Sequence, residues 1–390
     1  MSRFNQVTDR MNTRSVKWDL TESLFKSEEV LPMWVADMDF QIPKAVTDAI
    51  ADRAAHGIFG YTVTDEKIHQ SIKNWLSKQH DWNINTKWLS YSPGVVPSLH
   101  TMMEALTDKD DQILIQTPVY PPFYDVIKNH ERTIVKNPLH QQDGKYEIDF
   151  DDFEKKLKQG VKAFILCNPH NPVGRVWTKE ELQKMANLCL KHNVMIFSDE
   201  IHADLIFPGH KHIPIASLSD DIAQSTITCL SPTKTFNLAG LQVSYIVTPD
   251  AEYRKKINDQ FGLQGIKMLN TLGITALEAA YDHGDEWLEE LISVLEDHKK
   301  YLMDTIHSQT NQIQVVEPEG TYLVWLDCRG LGLSHEELKS FMQEKAKIGL
   351  NDGASFGEEG EGFMRINIAC PRPILEDGVQ RILQAIHSKE

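Results

Sequence analysis

Short apolar runs alternate with longer amphipathic stretches through the middle of this chain. Runs at 112–116, 133–136, 162–167, 194–197, 226–230 and 243–247 are four to six residues long and lie between polar segments. That length reads as strands buried in a sheet. The stretches at 43–56, 67–78, 98–106, 120–129, 179–192 and 266–282 read as helices. Strand and helix in alternation predict an α/β fold: three layers, with a mainly parallel central sheet covered on both faces. At 285–308 the spacing of Leu288, Leu291, Leu295 and Leu302 predicts one long helix. Beyond it the order changes. Strands at 313–316, 322–326 and 363–368 mix with helices at 336–346 and 373–387, which predicts a smaller α+β domain. The expected division is an N-terminal segment, 1–45, packing with the small domain; a large domain, 46–290; and the small C-terminal domain, 291–390.

Composition narrows the function classes. Of the 390 residues 41% are hydrophobic and 25% charged, ordinary for a globular protein. The net charge of −16 opposes binding to nucleic acid or to anionic membranes. No apolar run is long enough to span a bilayer, and the first nineteen residues are polar. Five scattered cysteines without a CxxC predict reduced thiols and a cytoplasmic protein. His210 and His212 lack a companion ligand set, so both read as solvated and no metal is expected.

Candidate chemistry gathers where strands end. Asp199, in Ser198-Asp199-Glu200-Ile201-His202, follows one apolar run, and Lys234, in Ser231-Pro232-Thr233-Lys234-Thr235-Phe236-Asn237, follows another. In an open α/β sheet, groups beyond the carboxyl ends of strands share one crevice. An amine there can form a Schiff base, and a carboxylate can keep a cofactor ring nitrogen protonated. Ser-x-x-Lys also occurs in serine β-lactamases, but their Ser-Asp-Asn and Lys-Thr-Gly partners are missing. Gly94, Val95 and Val96 precede a helix, where free N–H groups bind phosphate or simply form a capped turn. The absence of G-x-G-x-x-G disfavours a nicotinamide enzyme. Asn168-Pro-His-Asn171-Pro makes a constrained loop after a strand, and Tyr120 offers a ring for stacking or for anchoring the core. Arg365 lies inside an apolar strand; a substrate carboxylate or an internal ion pair would each explain it.

Together these motifs, in this order, resemble the fold-type I pyridoxal-phosphate enzymes of the class I and II aminotransferase superfamily. Leu31-Pro-Met-Trp34-Val-Ala-Asp37-Met-Asp-Phe40, Asp-Glu-Ile-His and Lys-Thr-Phe-Asn-Leu-Ala-Gly resemble its cystathionine β-lyase (PatB/MalY) branch. The resemblance implies pyridoxal 5'-phosphate as cofactor and Lys234 as its covalent anchor. Asp199 would face the ring nitrogen and Asn171 the ring hydroxyl, with Tyr120 stacked on the ring and His202 nearby. Gly94, Val95, Val96, Ser231 and Thr233 would surround the phosphate, and Tyr61 would reach the phosphate site of a neighbouring subunit in a homodimer. Arg365, Trp34 and Asp37 would meet a sulfur-containing amino-acid substrate. Two positions depart from the aminotransferase pattern: His202 stands where a tyrosine is common, and Gln242 where an arginine serves the phosphate. The implied reaction is α,β-elimination giving a thiol, pyruvate and ammonia. An aminotransferase shares the early chemistry and is the alternative; a lyase that also binds a regulatory protein is the second.

Overall fold

The computed structural model describes residues 3–142 and 144–388, and the middle region folds into an eight-stranded sheet. In chain order the strands are β1 (Leu89–Ser92), β2 (Gln112–Thr117), β3 (Thr133–Gln142), β4 (Lys145–Ile148), β5 (Val161–Cys167), β6 (Met195–Asp199), β7 (Thr226–Leu230) and β8 (Ser244–Val247). Their spatial order is β1-β8-β7-β6-β5-β2-β3-β4. The pairings from β7 through β6, β5 and β2 to β3 are parallel. β8 runs antiparallel to β7 and β1, and β4 antiparallel to β3.

The period-two geometry of a strand explains why the central runs are mostly apolar on both faces. Along β5, Ala163, Ile165 and Cys167 pack on one face with Leu99, Met102 and Phe123. Phe164 and Leu166 pack on the other with Trp177, Leu182 and Met185. Both faces are covered, so apolar residues dominate them. The covering helices carry explicit start signals. Asp65 accepts from the backbone N–H of Lys67 and Ile68 and caps helix Glu66–His80. Thr178 and Glu181 form a reciprocal capping box before Lys179–Lys191.

A second sheet of four antiparallel strands runs Gln314–Val316, Leu323–Asp327, Phe363–Asn367, Asn351–Asp352. Helices Asp285–Gln309 and Arg372–His387 pack together beside it. Leu31–Pro32 of the N-terminal segment pairs with Ile348–Gly349. No helix among the described residues is long and apolar enough to cross a membrane.

Several elements differ from expectation. β1 and β4 are edge strands with alternating burial, so their sequences lack a continuous apolar run. Helix Ala251–Leu263 buries only Ile257 and Phe261, too few for a clear stripe. The helix expected from 266 begins at Thr271, where Asn270 accepts from Gly273 N–H at 2.6 Å. The helix expected from 98 begins earlier, at Val95, which places Val95 and Val96 in its first turn. The helix expected over 336–346 is α-helical only to Ser340 and widens into a π turn at Phe341–Lys345. His212, read above as solvated, is 2% exposed; its ring meets the buried Glu200 carboxylate at 2.9 Å. A buried carboxylate requires such a partner, and the polar flanks of the histidine hid it.

Candidate active site

β2, β5, β6 and β7 end at the same edge of the sheet, and each delivers one group there. Tyr120 lies three residues past Thr117, Asn171 four past Cys167, and Asp199 closes β6. Lys234 sits in the short helix Pro232–Thr235 after β7, whose first turn is capped by Ser231 through the N–H of Thr233 at 3.1 Å. β1 leads to Gly94 and helix Val95–Leu106. These elements enclose a cavity of about 230 Å³ lined by Gly94, Val95, Val96, Tyr120, Asn171, Asp199, His202, Thr233 and Lys234. Ser231 lies just behind it, its hydroxyl 2.7 Å from that of Thr233.

Lys234 Nζ donates to the Ala36 carbonyl at 2.6 Å, and the Tyr322 hydroxyl donates to the same oxygen at 3.0 Å. Burial and then the charge of Arg365 lower the Lys234 pKa to about 8, against the pull of Asp37 and Asp199. Asp199 is 4% exposed and pairs with no cation within salt-bridge reach among the described residues; one oxygen accepts from Ile201 N–H at 3.1 Å. Burial raises its pKa to about 7. His202 is held neutral: burial, then the charges of Lys234 and Arg365, push it down to about 3. Burial, followed by the Asp199 carboxylate, raises Tyr120 above the usual phenol range. The cavity therefore contains an easily deprotonated amine and a carboxyl group that lacks a positive partner.

Arg365 enters from the second sheet. Its guanidinium donates to Asn171 Oδ1 at 2.9 Å, to the Trp34 carbonyl at 3.1 Å and to Asn351 Oδ1, and lies 4.9 Å from the Phe356 ring centroid. It is 4% exposed, and its Nε finds no acceptor among the described residues. None of its partners is a carboxylate, so the internal ion pair is excluded among the described residues. Burial lowers the Arg365 pKa to about 10.

The remaining expected residues lie further out. Trp34 contributes its carbonyl to Arg365, while its indole donates to Lys17 O at 3.3 Å and packs edge-on against Phe25. Asp37 is gripped by Arg10 at 2.8 and 3.0 Å, yet it stays near enough to Lys234 to raise that amine's pKa. Tyr61 is 95% exposed and lies outside the cavity. Gln242 adopts left-handed backbone at φ 49 after Leu241.

Sequence reasoning missed the supports of this site. Asn367 donates to the carbonyls of Val35 and Asp37 at 2.6 Å each, and Asn237 donates to those of Met38 and Phe40. Together they pin the strap that presents the Ala36 carbonyl. A second polar residue, beside Arg365, in a fully buried strand was the available signal for Asn367. Behind the cavity, Asp204 accepts from Thr235 Oγ1 at 2.7 Å with one oxygen. The other oxygen meets Trp75 Nε1 at 3.1 Å and His80 Nε2 at 2.8 Å. The lysine-bearing helix is thus bonded to the turn that follows Asp199.

Pyridoxal phosphate fits these residues. The uncapped first turn of Val95–Leu106 supplies free N–H groups for a phosphate, because Gly94 has no side chain to occupy them. The unpartnered acid suits a protonated ring nitrogen, and the lysine amine suits an aldehyde. Similar solved structures carry the same group. The chain is 46% identical over 384 residues to cystathionine beta-lyase PatB of Bacillus subtilis, covering 98% of this chain and 99% of that protein. Cystalysin from Treponema denticola, whose structure contains pyridoxal 5'-phosphate, superposes with a TM-score of 0.97 at 36% identity over all of both chains. The pyridoxal-phosphate-bound C–S lyase from Staphylococcus hominis gives 0.92 at 34% identity, covering 99% of this chain and 98% of that one. The family profile for aminotransferase class I and II matches residues 28–382, and this chain belongs to that family.

Proposed function

We propose that this protein is a pyridoxal-phosphate-dependent C–S β-lyase that cleaves L-cystathionine and related cysteine thioethers. The observation that carries the site reading is the pairing of a low-pKa lysine with an unpartnered buried acid across one cavity, with a carboxylate-free arginine beside them. The carbon–sulfur specificity rests on the likeness to the lyases above.

When bound, pyridoxal phosphate supplies an aldehyde that captures amines and a ring that withdraws electrons from the carbon bearing the amine. The protein's residues do the rest. Arg365 would take the substrate α-carboxylate in its planar fork, replacing neutral partners by a charge. Asn171, held by Arg365, would bond the ring hydroxyl, and Tyr120 would stack on the ring. Gly94, Val95, Val96, Ser231 and Thr233 would hold the phosphate. Asp199 would keep a proton on the ring nitrogen. Lys234 Nζ, with its pKa brought to about 8, would take the proton from the substrate α-carbon near neutral pH. The C–S bond then breaks, its electron pair leaves with sulfur, and the thiolate is protonated. Hydrolysis of the three-carbon remainder gives pyruvate and ammonia.

The homodimer belongs to the same reading. Ile58, Phe59, Tyr61 and Val63 are exposed, and Leu263 and Met268 are likewise bare. An apolar patch of this kind favours contact with a second copy. Tyr61→Ala is expected to weaken phosphate-anchored cofactor retention in a dimer. Sedimentation showing a monomer with undiminished cofactor affinity would remove both the dimer and the shared site. The five described cysteines are all free and buried, which favours the cytoplasm. The two sheets support a large cofactor domain over 46–290 and a small domain from 291, with 1–45 beside the latter.

The deciding experiment is product analysis. L-cystathionine should give homocysteine, pyruvate and ammonia in equal amounts without an added 2-oxo acid. A strict need for a 2-oxo acid, with the thioether intact in the product, identifies an aminotransferase instead.

A further inference from the structure

A second cleft, of about 580 Å³, meets the cofactor cavity at Ala36, Lys234 and Ala239. Its outer wall is the N-terminal segment, including Arg10, Arg14, Asp37 and Asp39. The charges on this wall differ in how far they are already satisfied. Asp39 is saturated: Lys17 Nζ lies at 2.6 Å, Arg10 at 2.7 Å and Trp18 Nε1 at 2.8 Å, and its side chain is 2% exposed. Asp37 has Arg10 as its ion-pair partner and keeps 19% of its side chain exposed. Arg14 has no hydrogen bond, ion pair or ring contact among the described residues.

The turn that carries Arg14 is braced. The Asp19 carboxylate accepts from Asn12 N–H at 2.7 Å and from Ser15 N–H at 2.9 Å, on either side of Arg14. Thr13 Oγ1 donates to the Arg10 carbonyl at 2.6 Å. Asn12 and Arg14 both adopt left-handed backbone, at φ 62 and 63. That conformation is unfavourable for residues with a Cβ and persists only where surroundings enforce it. Here it presents a free guanidinium at a cleft that the reactive lysine also lines.

With the inner cavity filled by the cofactor, the arm beyond the sulfur must extend elsewhere, and this cleft opens beside Lys234. We propose that it is the subsite for the departing half of the thioether, with Arg14 reading a carboxylate and Asp37 an ammonium on that half. The preferred leaving group is then a thiol that is itself an α-amino acid. This inference rests on the lyase reading above.

The test compares L-cystathionine, whose departing half carries both charges, with S-methyl-L-cysteine, whose departing half carries neither. Pyruvate release is measured for the holoenzyme, for Arg14→Gln and for Arg14→Lys. Arg14→Gln should lower the ratio of kcat/KM for cystathionine to that for S-methylcysteine by about tenfold, mainly through KM. Arg14→Lys, which keeps the charge without the planar fork, should restore part of that ratio. An unchanged ratio in Arg14→Gln overturns the subsite while leaving the lyase reading intact. If the unmodified protein releases pyruvate from neither thioether, the lyase reading fails and the subsite falls with it.

Discussion

The Lys234→Ala protein should release no measurable pyruvate from L-cystathionine, a loss of about 10⁴-fold or more. The loss has two sources. On the proposed reading the lysine amine would anchor the cofactor's aldehyde and would also be the base for the α-proton, a role worth roughly 10²–10⁴ by itself. No other amine can substitute, because among the residues lining the cavity Lys234 is the only lysine. Phosphate-binding groups remain, so the variant should still take up cofactor but lose it on dialysis. Borohydride reduction of the unmodified holoenzyme followed by peptide mapping should find the cofactor on Lys234. An adduct on another lysine, or substantial turnover by Lys234→Ala, would falsify the assignment.

The second large effect is expected at Asp199 and runs in opposite directions for rate and stability. Asp199→Asn keeps the shape of the side chain and an oxygen for the Ile201 N–H. It removes the charge that would hold the ring nitrogen protonated, and turnover should fall by roughly 10²–10³. The cofactor-free variant should nevertheless be more stable than the cofactor-free parent at pH 8. In the folded chain burial raises the Asp199 pKa from 3.8 to about 7. Below the ordinary value both folded and unfolded states bind the proton, and burial carries no pH-dependent penalty. Between the two values the unfolded state releases a proton that the folded state retains, so the penalty grows as pH rises and levels off above about 7. Each pH unit in that window corresponds to about 1.4 kcal/mol, giving an upper limit of about 4 kcal/mol. Thermal unfolding of both cofactor-free proteins should therefore diverge at pH 8 and converge near pH 4. Equal stability at both pH values would mean that the carboxylate is not strained by burial.

Legibility in the sequence followed burial on two faces. β7, Thr226–Leu230, was readable to the residue because every position is buried and β-branched or apolar. β4 was not, because its Lys145 and Glu147 face solvent at a sheet edge. Among the residues that line the cavity, Asp199, Lys234, Asn171 and Tyr120 were legible because each lies at a strand end or within four residues of one and carries its own chemistry. Asn351 was invisible for the opposite reason. It lies in a two-residue strand and reaches Arg365 only because the antiparallel register sets the two opposite one another. The Ala36 carbonyl has no side-chain identity to read. His212 was misjudged because its polar flanks hide its burial against the Glu200 carboxylate, twelve residues earlier in the chain.

The shared carboxylate of Asp204 makes the lysine segment and the acid turn one mechanical piece. A substitution at Thr235 leaves a buried carboxylate oxygen without its donor, and one at His80 or Trp75 disturbs the same carboxylate from the opposite side. Such changes are not independent, and their effects do not add. A substitution at any one of these positions is therefore expected to disturb Asp204 and its other donors as well. The segment carrying Lys234 is thereby tied to a distant helix, Glu66–His80, through one buried carboxylate.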